Sequence, residues 1–162
     1  MKKILVSGCL NGQPIRFNRT SVDVESAIWD RWVAEERLVS FCPELAAGFG
    51  VPRPPAEIVD GDAAMVLTGD ATVREDNGTD VSELFVKGAE LAADRAVAQG
   101  CALAVLTDGS PSCGTTFVYD GTFEGRTTAG SGVTVQLLRD RGIAVFSHEQ
   151  IQLADRFLRA NR

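Results

Sequence analysis

Short apolar runs alternate with longer amphipathic stretches along this chain, and the alternation orders the fold before any chemistry is considered. Lys3 to Val6, Leu38 to Phe41, Ala102 to Leu106 and Ile143 to Phe146 are brief runs with almost no polar interruption. That is the pattern of strands covered on both faces. Val24, Ile28, Trp32 and Val33 recur at helical spacing and predict a helix from about Val22 to Glu36, with Ser21 as its cap. Leu84, Leu91 and Val97 do the same within Asp80 to Gln99, with Thr79 as cap and Gly100 as stop. Val133 to Arg141, stopped by Gly142, and a last segment to Asn161, opened by a capping box of Ser147 and Gln150, complete the helices.

The segments between are punctuated differently. Cys9 to Thr20 holds Gly, Asn and Pro and reads as a loop. Pro43, Pro52, Pro54 and Pro55 predict a stiff, ordered loop from Pro43 to Ile58. Ala64 to Leu67 and Ala71 to Arg74, parted by Gly69-Asp70, predict a small hairpin insertion. Strand and helix otherwise alternate, which predicts an α/β fold: a mostly parallel sheet with helices on both faces, Rossmann-like, as a single domain over residues 1–162. Ligands of such sheets bind beyond the carboxyl ends of the strands.

Composition narrows the function classes. A formal net charge of -6 and a pI near 4.8 argue against a nucleic-acid partner and favour a small molecule. No stretch reaches membrane-spanning length, and the apolar run after Lys2 and Lys3 is too short for a signal peptide. A cytoplasmic, reducing location is expected, where the four cysteines serve as ligands, nucleophiles or core filler rather than disulfides.

Three of those cysteines follow apolar runs: Cys9 after Ile4 to Val6, Cys42 after Leu38 to Phe41, and Cys113 beyond Ala102 to Leu106. If the runs are neighbouring parallel strands, three thiols meet at one sheet edge, and three thiolates make a metal-cluster site with one open position. The competing reading is chance placement of a small buried hydrophobe. Cys101, between Gly100 and a buried strand, reads as an inert core thiol. The spacings are too wide for a zinc finger or a redox C-x-x-C pair, yet a single zinc with three thiolates and a water stays open, as does a non-catalytic sensor or carrier. Glu44, two residues past Cys42, is either a general acid or base or an exposed loop charge. In Gly109 to Thr116, small residues around Pro111 let backbone N–H groups and the Ser110 hydroxyl approach a ligand; a solvated loop is the alternative. His148, the only histidine, has no partner near it for a Cys-His pair, and Gly121 to Gly132 lacks the order of a dinucleotide loop.

Cys9-Leu10-Asn11-Gly12, Cys42-Pro43-Glu44, Pro52-Arg53-Pro54-Pro55-Ala56-Glu57, Ser110-Pro111-Ser112-Cys113-Gly114, Tyr119-Asp120-Gly121-Thr122-Phe123 and Gly130-Ser131-Gly132-Val133-Thr134 follow one another along the chain. In that order they resemble the pattern of the bacterial thiouracil desulfidase family, from about Lys3 to Glu149. The resemblance implies a 4Fe-4S cluster held by Cys9, Cys42 and Cys113, with its fourth iron left to take the sulfur of a thiolated pyrimidine. It also implies hydrolytic, non-redox release of hydrosulfide with Glu44 as acid and base and Ser110 as its catalytic companion. Ser110, Ser112, Arg16 and Asn18 are the expected substrate contacts. The chain departs from the usual pattern at Asn11, where many members carry Leu, and at Thr107, Asp108 and Gly109, where Lys and bulkier residues are common. Asn11 and Asp108 are therefore candidates for the pocket lining.

Overall fold

The computed structural model describes residues 1–162. In chain order its elements are β1 (Lys3–Ser7), α1 (Ala27–Ala34), β2 (Leu38–Phe41), α2 (Pro43–Ala47), β3 (Ala56–Val59), α3 (Ala63–Thr68), β4 (Thr72–Glu75) and α4 (Ser82–Ala98). Then come β5 (Cys101–Leu106), β6 (Phe117–Tyr119), β7 (Thr127–Ala129), α5 (Val133–Asp140), β8 (Ala144–Ser147) and α6 (Ile151–Ala160), while a 3₁₀ turn, Gly8–Asn11, follows β1. No helix is long and apolar enough to cross a membrane.

The four expected strands form one parallel sheet in the order β2-β1-β5-β8. Side chains alternate across it. Ile4, Val6, Leu103 and Val105 pack against Trp29 and Trp32 of α1 and Ile151, Ala154 and Leu158 of α6. Leu5, Val39, Ala104 and Leu106 pack against Ala92, Ala93 and Ala96 of α4 and Val135 and Leu138 of α5. A period of two with both faces covered explains why the runs are apolar throughout. The chain leaves β1 for β2 on one side and later enters β5 on the other. The order therefore reverses between β1 and β5, and a crevice opens beyond their carboxyl ends.

Several boundaries differ from the expected ones. The first helix starts at Ala27, where Ser26 Oγ accepts from Trp29 N at 3.4 Å, so Ser26 and not Ser21 is its cap. Val22 N donates to Cys9 O at 2.8 Å, which ties the preceding segment to the 3₁₀ turn, although Val22 and Val24 still pack on the tryptophan core. The proline-rich stretch is not all loop. Pro43 sits in the first turn of α2, where its missing N–H costs nothing, and β3 begins directly after Pro55. The hairpin expected around Gly69-Asp70 is absent: Asp62 accepts from Met65 N at 2.9 Å to start α3, and Gly69, at φ +87, ends it. β4 pairs instead with β3, antiparallel, over a satellite core of Ile58, Val66, Val73 and Phe85. α4 begins at Ser82 rather than near Thr79, and Asp80 Oδ1 accepts from Ser82 N at 2.9 Å. Gln150 Oε1 accepts from Ser147 N at 3.0 Å, so the proposed box closes the turn before α6. The two-stranded insertion near the sheet's edge is β6-β7, within the Gly- and Ser-rich segment.

α4 meets α2 at Gly88, where an added Cβ would stand 2.5 Å from Pro43 O. Alanine normally stabilises a helix interior by about 1 kcal/mol over glycine. Here the overlap with backbone reverses that sign, so Gly88→Ala is expected to destabilise the fold by roughly 1–3 kcal/mol. A thermal melt reads this directly, and an unchanged or raised Tm would mean that α2 moves aside freely.

Candidate active site at the carboxyl edge of the sheet

The three thiols singled out from sequence come to adjacent strand ends. Cys42 follows β2 and opens α2, its carbonyl accepting from Ala46 N at 3.0 Å; Cys9 lies in the 3₁₀ turn after β1; Cys113 lies in the loop after β5. Ser7 is level with Phe41 and Val6 with Val105, so the strands that precede the three thiols run side by side with β1 between β2 and β5. Neighbouring strands lie about 4.8 Å apart. All the cysteines are free, with Cys9 and Cys113 buried and Cys42 half-buried. Burial pushes all three thiols above their ordinary pKa. Cys113, besides its burial, is raised by the charges of Cys42, Glu44 and Cys9. Cys101 opens β5 at the opposite edge, half-buried, and burial pushes it up to about 11.

The loop bearing Cys113 is pinned to the start of α5. Gly132 N donates to Gly114 O at 2.7 Å, Val133 N to Pro111 O at 2.7 Å and Thr134 N to Ser112 O at 3.1 Å. The first N–H groups of a helix have no partner within it, and here the loop's carbonyls supply one. Gly132 is required for that approach, because a Cβ there would stand 2.3 Å from Ser112 O. Asp108 fixes the other side: its Oδ1 accepts from Thr115 N and Thr116 N at 2.7 Å each, and its Oδ2 from Thr116 Oγ1 at 2.8 Å.

A cavity of about 370 Å³ opens on this edge, and Cys9, Cys113, Glu44, Arg53, Ser110 and Arg16 line it. Glu44 faces it as half of an ion pair, Arg53 Nη2 donating to Oε2 at 2.7 Å. Arg53 Nη1 also donates to Ile15 O at 3.0 Å and Gly50 O at 3.1 Å, so one buried guanidinium laces the first loop to α2. Ser110 Oγ accepts from Ser112 N at 3.0 Å and Cys113 N at 3.3 Å, which leaves its proton free for an acceptor in the cavity. Phe17, Phe117 and Tyr119 also line it, each partly exposed. Glu57 holds the β6-β7 hairpin beside the cavity by accepting from Gly121 N at 2.9 Å and Phe123 N at 3.3 Å.

Two expected contacts are placed elsewhere. Ser112 is 1% exposed, and its hydroxyl pairs with Thr134 Oγ1 at 2.8 Å instead of facing the cavity. Asn18 Oδ1 accepts from Thr20 N at 3.2 Å and Thr20 Oγ1 at 2.6 Å, which closes an exposed turn outside the cavity. Asn11 is exposed and likewise outside it, whereas Asp108 does line it. Arg53, Thr107 and Glu57 are polar groups to which sequence reasoning gave no role, although Arg53 and Glu57 stand in the Pro52 to Glu57 motif. A cation between Pro52 and Pro54 was a further signal, since a buried guanidinium requires a carboxylate.

A family model described as 2-thiouracil desulfurase matches residues 4–150. The chain is 40% identical over 148 residues to the uncharacterized protein YbbK of Bacillus subtilis (strain 168), covering 91% of this chain and 97% of that one. Among solved structures it is similar to the 4Fe-4S-dependent thiouracil desulfidase TudS, with a TM-score of 0.85 and 44% identity over 95% of this chain and 97% of that one.

Proposed function

Because the chain belongs to the 2-thiouracil desulfurase family, we propose that its cavity hydrolyses the C–S bond of a thiolated pyrimidine such as thiouracil, giving uracil and hydrosulfide. The observation that supports this reading is the cavity where buried Cys9 and Cys113 meet the Glu44–Arg53 pair, with half-buried Cys42 two residues before Glu44. Cys9, Cys42 and Cys113 would hold a 4Fe-4S cluster, as the similar TudS structure's dependence on one supports. The donor set fits: three soft sulfurs, each desolvated, favour a thiolate only beside concentrated positive charge. When bound, the cluster supplies an iron without a protein ligand, a soft Lewis acid that prefers thiocarbonyl sulfur to carbonyl oxygen. A single zinc on the same three thiolates would leave the protein colourless, whereas the cluster would make it brown. A carrier would have no use for a carboxylate held at the cavity wall.

The chain's own groups move the protons. Glu44 Oε2 is fixed by Arg53, while Oε1 is left to take a proton from water as that water attacks the ring carbon bearing sulfur. Glu44 returns that proton to the departing sulfur as the C–S bond breaks and water's second proton passes to solvent, so water's oxygen stays on the ring as the carbonyl, sulfur leaves as hydrosulfide, and no electron is transferred. Ser110 donates to the ring or to the water, three residues from Cys113. Arg16, on the cavity wall, contacts the ring's polar edge.

Phe117 and Tyr119 lie two apart on β6 and so share a face, with both lining the cavity. They offer a planar ring a stacking surface. Tyr119→Ala is expected to raise KM about tenfold with kcat nearly unchanged, since stacking of a base on an aromatic contributes roughly 1–3 kcal/mol. Steady-state kinetics on thiouracil checks the split; a fall in kcat alone would place Tyr119 in the chemistry instead. The reading as a whole is tested by anaerobic cluster reconstitution and an assay of products. One uracil per sulfide without an added electron donor supports it, and a loaded, brown protein that leaves thiouracil untouched overturns it.

A further inference from the structure

Beside the thiols lie two hydroxyls to which the mechanism gives no part. Thr107, directly after β5, has its Oγ1 3.0 Å from Cys9 Sγ, and both groups are buried. Its backbone N–H donates to Ser7 Oγ, at the end of β1, at 3.1 Å. Thr107 is 6% exposed and Ser7 3%, so both hydroxyls are largely shielded from bulk water. The two bridge β1 and β5 where the strand order reverses, beneath the turn that carries Cys9.

A thiolate that ligates iron can only accept a hydrogen bond, so the Thr107 hydroxyl must be the donor. We propose that Thr107 donates to the Cys9 thiolate and so sets the reduction potential and air stability of the cluster, an inference that rests on Cys9 being a ligand. A donated hydrogen bond draws electron density from sulfur and leaves less of it for iron. The bound cluster is thereby harder to oxidise, and its open iron is a stronger acceptor for a thiocarbonyl. Ser7 completes the arrangement. Its oxygen already accepts from Thr107 N, which holds Thr107 in place and leaves its own proton free. The donor to Cys9 belongs to a side chain and can be removed cleanly.

Thr107→Val deletes the hydroxyl at nearly constant volume, and Thr107→Ser keeps it while deleting the methyl group. Both are reconstituted anaerobically beside the unaltered protein. Potentiometric titration followed by electron paramagnetic resonance gives the midpoint potential, and visible bleaching in air gives the rate of cluster loss. The Val variant is expected to show a lower potential and severalfold faster bleaching, with the Ser variant close to the unaltered protein. A Val variant that never retains the cluster while the Ser variant does supports the same conclusion. Val at the unaltered potential and bleaching rate overturns the proposal, as does Ser shifted as far as Val or unloaded with it, because packing by the methyl would then be responsible. Iron and sulfide content of Cys9→Ala separates the parent reading: a fully loaded Cys9→Ala would remove Cys9 from the ligand set, whereas its loss with an unmoved Thr107→Val removes only the role of Thr107.

Discussion

Glu44→Gln is expected to lower kcat by about 10²–10⁴-fold while the protein stays folded and brown. The amide keeps the shape of the carboxylate and still offers Arg53 an oxygen in place of the Oε2 it holds at 2.7 Å. What it loses is the ability to accept a proton from attacking water. KM should change little, because in the proposed binding mode Ser110, Arg16 and the aromatic wall of the cavity, rather than Glu44, would hold the ring. The cluster should also be retained, since Glu44 stands beside the thiols without replacing any of them. Single-turnover measurement on reconstituted protein is the informative assay, because it separates the chemical step from release of sulfide. A kcat within threefold of the unaltered enzyme would mean that another group moves the proton and that the Glu44–Arg53 pair is a brace between α2 and the first loop.

The sheet and its edge were legible in the sequence because parallel strands buried on both faces leave an unmistakable record. Ile4 to Val6 and Leu103 to Leu106 are apolar on every side chain since helices cover both faces, and Cys9, Cys42 and Cys113 inherit their position from the strands they follow. Short segments were less legible, as the stretch around Gly69 illustrates. Ala64 to Leu67 is too short for its period to separate helix from strand, and the deciding contact is the cap from Asp62 to Met65 N. Gly69 then serves as a helix stop rather than a hairpin turn, and β4 finds its partner in β3, on the far side of α3. Polar residues were hardest to assign, because partners decide their roles. Ser112 belongs to the most distinctive motif of the chain, yet its hydroxyl is satisfied by Thr134 on α5. Arg53 is nine residues from the carboxylate it pairs with, and Thr107 follows a different strand from the sulfur it touches. Such pairings exist only after the chain has folded.

Replacing Cys9, Cys42 or Cys113 by Ala is expected to abolish turnover and the broad visible absorption together, whereas Cys101→Ala should change neither. Each of the first three stands at the end of a different strand, so no neighbouring residue in the same loop can substitute as a sulfur donor. His148, the single histidine, is partly buried beyond β8, two strands away from β1. If the three thiolates are the ligands proposed, removal of one would lower the charge that opposes the iron and leave the cluster with two protein ligands, which favours its breakdown. The fold itself should survive. The two faces of the sheet are held by Trp29, Trp32 and Leu158 on one side and by the alanines of α4 with Leu138 on the other, none of which depends on the thiols. Circular dichroism should therefore match the unaltered protein while iron and acid-labile sulfide fall toward zero. The pattern across the four single variants decides the matter. Full iron in any one of the first three would strike that residue from the ligand set, and loss of iron in Cys101→Ala would put the cluster at the wrong end of β5.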